Sequence, residues 1–150
     1  MEHANTFKLS VVGFFGALTA LFGWFGWMVI VFFACMILDY ITGSLVAAKN
    51  GNWTSGEAKS GIFSKVGMIV AVITGGLADF VLGLIINNIP SIGLPFTYTV
   101  LFCPMVVAWY ILTELGSIIE NAGDLGAPVP EFLRKALKKF RDSIDSAGDK

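Results

Sequence analysis

The chain has 150 residues, 55% of them hydrophobic and 14% charged, with a mean hydropathy of +0.75, whereas soluble domains carry about a quarter charged residues. That composition excludes an ordinary water-soluble domain. The formal net charge of −1 says little about partners, because most of the ten Lys and Arg residues are gathered in two places, 49–65 and 134–150.

Residues 9–38 contain no Asp, Glu, Lys or Arg, and neither do residues 80–113. Each run exceeds the roughly 20 residues with which a helix crosses a bilayer. Four hydrophobic segments follow, 9–22, 27–48, 66–86 and 96–119. The first reaches only about 21 Å as a helix, short of a hydrocarbon core of roughly 30 Å, so three or four spans are expected. Its small-residue face, Gly13, Gly16, Ala17 and Ala20, suits close helix packing. The amino terminus does not read as a cleavable signal, since only Lys8 precedes a hydrophobic stretch that is too long and is followed by further spans.

Gly23-Trp24-Phe25-Gly26-Trp27 supplies flexible glycines and interfacial indoles and reads as a hairpin tip. The next connection, 49–65, is polar, contains the turn signal Asn50-Gly51-Asn52, and holds three lysines against Glu57. Asn52-Trp53-Thr54 matches the glycosylation pattern by chance on this reading. The connection 87–95 is uncharged. Short loops rich in Lys and Arg stay inside, which places 49–65 and the tail in the cytoplasm and 87–95 outside.

Ala127-Pro128-Val129-Pro130 ends the last span and can set the first turn of a new helix. A short amphipathic helix is expected there, with Leu133, Leu137, Phe140 and Ile144 on its apolar face and Arg134, Lys135, Lys138, Lys139 and Arg141 on the others. Such a helix can lie on anionic lipid or zip to its copies. The chain thus divides into a membrane region, 1–126, and a basic cytoplasmic tail, 127–150.

Asp39, Asp79 and Glu114 interrupt the apolar segments, where an ionised acid costs about 2.5–3.5 kcal/mol at a helix centre. Beside Asp39 lie Thr42 and Gly43. Asp79 has Gly75, Gly76 and Gly83 within a turn, and Glu114 continues into Ser117 and Asn121. These acids could hold helices together and line a water-filled lesion between subunits, relay protons or bind a cation in a transporter, or fix packing inside one subunit.

No catalytic constellation is present. His3 is the single histidine and lies at a terminus, which leaves a His-based triad or a zinc cluster without ligands. Cys35 and Cys103 read as small buried hydrophobes. No cofactor or nucleotide motif is found, and basic residues beside membrane segments suit lipid better than nucleic acid.

Asp39-Tyr40-Ile41-Thr42-Gly43 resembles the Asp-Tyr-x-Thr-Gly signature of the phage lysis and toxin-secretion holin family. The likeness continues through Ser55-Gly56, Gly61, Lys65 and Ala78-Asp79. It is densest at Glu114-Leu115-Gly116-Ser117-Ile118-Ile119-Glu120-Asn121, followed by Gly126-Ala127-Pro128-Val129-Pro130 and Leu133. The resemblance implies a non-enzymatic, multi-pass protein of the bacterial cytoplasmic membrane that assembles with its own copies. The resulting lesion would release a cell-wall hydrolase or a toxin. Asp39, Thr42, Gly43, Asp79, Glu114, Ser117, Glu120 and Asn121 become candidates for oligomerisation or the lesion wall. The alternatives are a small transporter or ion-channel subunit and a regulator that joins and blocks a true holin.

Overall fold

A computed structural model describes residues 23–88 and 100–148, together with positions 6, 9, 12, 13 and 16. The chain is all-helical, with no strand among the described residues: α1 is Trp24–Lys49, α2 Ser55–Asn88, α3 Phe102–Leu125 and α4 Glu131–Gly148. The first three are each long and apolar enough to cross a membrane. Whether residues 9–22 form a further span lies outside the described residues, as do Ala17 and Ala20.

α1 begins earlier than expected. Only Gly23, at φ 55°, stands outside it, so Trp24 to Trp27 form its first turn and not a hairpin tip. At its other end Asn50 donates its N–H to the Val46 carbonyl at 3.0 Å, and Gly51 and Asn52 bond back to Ala48 and Ala47 at 3.2 and 3.0 Å. Gly51 takes φ 70°, the left-handed conformation that glycine adopts most cheaply in such a stop.

The connection expected over 49–65 is a correction: residues 55–65 are already helix. The turn signal at Asn50-Gly51-Asn52 was local, and Gly56 and Gly61 are tolerated inside a helix at about 1 kcal/mol each. Gly61 also admits a neighbour, because a Cβ there would stand 3.4 Å from the Tyr40 ring. Extending α2 in this way carries Lys65 into the bundle on a rigid element.

α3 starts at Phe102, not 96, and continues past 119 to Leu125; residues 96–99 lie outside the described set. Gly126, at φ 104°, terminates it. Its N–H bonds the Gly123 carbonyl at 2.9 Å and that of Ala127 the Ala122 carbonyl at 3.0 Å, after which Pro128 and Pro130 prevent continuation. α4 starts one residue past Pro130.

α3 is the hub, packed against α1, α2 and α4. Phe32 and Met36 of α1 and Val107 of α3 form the buried centre, with Met68, Ile69 and Val72 of α2 against it. The outward stripe of α2, including Ile62, Val66, Val70, Ile73 and Leu77, is exposed. In water that stripe would drive aggregation, and in a bilayer it is the lipid face.

Candidate functional site: buried acids at two levels of the bundle

Towards the end of α1 and α3 that carries the Lys49 turn, three helices meet through charge. Lys65 of α2 donates from Nζ to Asp39 Oδ2 of α1 at 2.6 Å and to Glu114 Oε2 of α3. Asn121, two turns beyond Glu114 on α3, donates to Asp39 Oδ1 at 3.2 Å and to Thr42 Oγ1 at 3.1 Å. Thr42 in turn donates to the Asp39 carbonyl at 3.1 Å. Glu114 is 1% exposed, and the side chains of Lys65 and Asp39 are each 15% exposed. One ammonium serves two carboxylates in a nearly dry setting, where such pairs act strongly and tolerate no missing partner.

Gly43 faces this contact, where a Cβ would stand at an ordinary packing distance, 3.6 Å, from Asn121 Nδ2. Lys49 adds a clasp at the helix ends, donating to the Asp124 carbonyl at 2.7 Å. A cavity of about 200 Å³ beside the cluster, between α1 and α2, is lined by Asp39, Tyr40, Ser44, Trp53 and Lys65 among others.

Asp79 occupies the opposite level and has a different partner. Its Oδ1 accepts the N–H groups of Leu101 and Phe102, both at 2.9 Å, and its Oδ2 accepts that of Cys103 at 2.7 Å. These are orphan donors at the start of α3. Pro104 has no N–H, and the N–H of Met105 reaches the Leu101 carbonyl at 3.3 Å, so the first turn is fully satisfied. A carboxylate at a helix N-terminus also meets the positive end of the helix dipole. Asp79 is 2% exposed.

Two of the glycines near Asp79 lie where α2 meets the start of α3. A Cβ on Gly75 would lie 3.3 Å from Cys103 Cα, and one on Gly76 would lie 3.7 Å from Cys103 Sγ. Cys103 Sγ donates to the Val72 carbonyl at 3.6 Å, and both Cys35 and Cys103 are free thiols. Gly83 is half-buried further along α2.

The candidates therefore separate. Asp39, Thr42, Gly43, Glu114 and Asn121 come together with Lys65, while Asp79 stands apart at the start of α3. Ser117 is half-buried on α3, and Glu120 is exposed and lines a cavity with Arg134 and Lys138 of α4. Among the described residues, nothing lies within 4 Å of where a Cβ on Gly13 or Gly16 would stand. Arg134, Lys135, Lys138 and Lys139 are exposed on α4; the side chain of Arg141 lies outside the described residues. Sequence reasoning missed Lys65 as a site residue because it was placed in a loop. One signal is its place as the lysine adjoining the apolar run of α2, because a buried acid needs a cation or hydrogen-bond donors beside it.

The model of the bacteriophage holin family matches residues 16–142, a range that holds both clusters and all four helices up to the middle of α4. The chain belongs to the bacteriophage holin family. Among the proteins it resembles is an uncharacterized protein of Clostridium perfringens strain 13, 33% identical over 136 residues, or 90% of each chain. An uncharacterized protein of Halalkalibacterium halodurans is 33% identical over 130 residues, covering 87% of this chain and 90% of its own. An uncharacterized 14.9 kDa protein from the nagH 3′ region of Clostridium perfringens is 30% identical over 138 residues, covering 92% and 95%. No solved structure matches this holin-family chain.

Proposed function

We propose that the chain is a holin that accumulates in a bacterial cytoplasmic membrane, assembles with its own copies and opens a lesion for a cell-wall hydrolase or a toxin. The observation that carries this reading is the family match over residues 16–142, borne by three helices long and apolar enough to span. The buried clusters support a defined role for the subunit. They fix α1, α2 and α3 in one register, so assembly joins prebuilt three-helix units by their outer faces.

The lysines at the Lys49 end of α1 and along the start of α2 favour a cytoplasmic position for that end of the bundle. The tail then leaves α3 on the cytoplasmic side. Glu120, exposed beside α4, is the candidate acid best placed for a hydrated path. The reaction is permeation, with no bond made or broken by the protein.

Inducible expression in a bacterium, followed with a potential-sensitive dye and by release of a co-expressed cell-wall hydrolase, tests the proposal. Collapse of the membrane potential followed by hydrolase-dependent lysis is expected. Accumulation of the protein in the membrane with potential and growth intact overturns it, and delayed lysis by a second holin on co-expression identifies a blocking regulator instead.

A further inference from the structure

α4 does not leave the bundle but folds back along α3. Arg134 sits beside Gly123, with its Nη2 3.6 Å from a built Cβ. Leu137 shares a cavity with Gly116 and Ile119, and Phe140 and Ile144 share a groove of about 730 Å³ with Met105 and Ala108. Positions fall along α3 as they rise along α4, so the two are antiparallel and α4 lies beside the middle of a spanning helix.

That placement conflicts with hydrocarbon on the outer side of α4. Lys135, ion-paired at 2.9 Å with Glu131, and Lys139 are exposed there, and a cation facing lipid costs up to about 2.5–3.5 kcal/mol at a helix centre on insertion scales. The outer faces of α1 and α2 show the reverse character, with Val31, Ile37, Ile41, Val66, Val70 and Leu77 exposed. One side of the subunit suits lipid and the α4 side requires water.

Resting on the lesion-forming reading, we propose that α4 seated on α3 is the wall of the water-filled path, and that Lys135 and Lys139 on its outer face make that path favour anions. Charged rings facing a pore select the opposite sign of ion.

The test uses the full chain reconstituted in planar bilayers at low ionic strength, where screening of the lysines is weak. In a variant lacking Cys35 and Cys103, Gly116→Cys and Leu137→Cys are joined by a short bis-maleimide to hold α4 on α3, with each single variant as a control; among the described residues Gly116 has open space for the new side chain. The cross-linked protein should still conduct, and chloride should be preferred over potassium. Lys135→Glu with Lys139→Glu should abolish or invert that preference, while Lys59→Glu, the same substitution at one exposed lysine near the start of α2, should leave it unchanged. Loss of conductance on cross-linking when both single variants conduct overturns the proposal, and so does a preference unaltered by the paired Glu variant. A wild-type chain that conducts nothing removes the lesion reading itself, and this inference with it.

Discussion

At the residue scale, Lys65 and Asp79 carry the largest consequences. Removing the ammonium leaves Asp39 and Glu114 facing each other in a nearly dry setting, and breaking a buried pair from one side costs about 3–5 kcal/mol. Lys65→Met should lower the thermal midpoint in detergent sharply, and adding Asp39→Asn and Glu114→Gln should restore most of it; a Lys65→Met protein that melts like wild type would show that the ammonium holds nothing. Asp79 allows a graded test. Its two oxygens accept three N–H groups, whereas Asn offers one oxygen and turns an NH₂ toward the third donor. The order of stability should be Asp, then Asn, then Ala, with hydrogen bonds to a charged group worth about 1.5–3 kcal/mol each. Equal melting of the Asn and wild-type proteins would contradict this geometry. The acids themselves were legible in the sequence, because carboxylates inside apolar runs demand an explanation. Their partners were not, since one is a lysine assigned to a loop and the other is backbone, which leaves no residue signature.

At the element scale, the close approach of α2 and α3 depends on one glycine more than on its neighbour. A Cβ on Gly75 would crowd Cys103 backbone at 3.3 Å, while Gly76 leaves 3.7 Å to a thiol. Gly75→Ala should therefore destabilise, and Gly76→Ala should be neutral or better, because Ala is the stronger helix former by about 0.5–1 kcal/mol. Comparable melting of the two variants would mean the helices slide apart freely. The tail helix makes a second prediction: Leu137→Pro should disrupt α4 at a cost of about 3 kcal/mol, seen as accelerated amide exchange across residues 133–144. Unchanged exchange would mean that α4 is not a stable element. Its start after Pro130 and its apolar spacing were readable from residue pattern alone. Its return along α3 was not, because amphipathic spacing states that a face is covered without saying by what.

At the scale of the whole molecule, the arrangement predicts a cytoplasmic Asn52 and an external 87–95 connection. In a variant lacking Cys35 and Cys103, single cysteines replacing Asn52 or Ser91 should differ in labelling by an impermeant reagent added outside intact cells before lysis, with Ser91→Cys labelled and Asn52→Cys protected. The reverse pattern would invert the topology. The three long apolar helices and the tail helix were visible in the sequence, within an expectation of three or four spans, because long uncharged runs have few other uses; the boundaries moved because lysines and glycines beside an apolar run do not stop a helix. The Lys65 cluster also has a consequence for biosynthesis. Asp39 and Lys65 are 26 residues apart, Lys65 and Glu114 are 49 apart, and Asp39 and Asn121 are 82 apart. During synthesis the α1–α2 hairpin reaches the membrane as a charge-balanced pair while Glu114 is still unmade. Glu114 then arrives to an ammonium already in place, so within this cluster the order of the codons matches the order in which the buried charges find their partners.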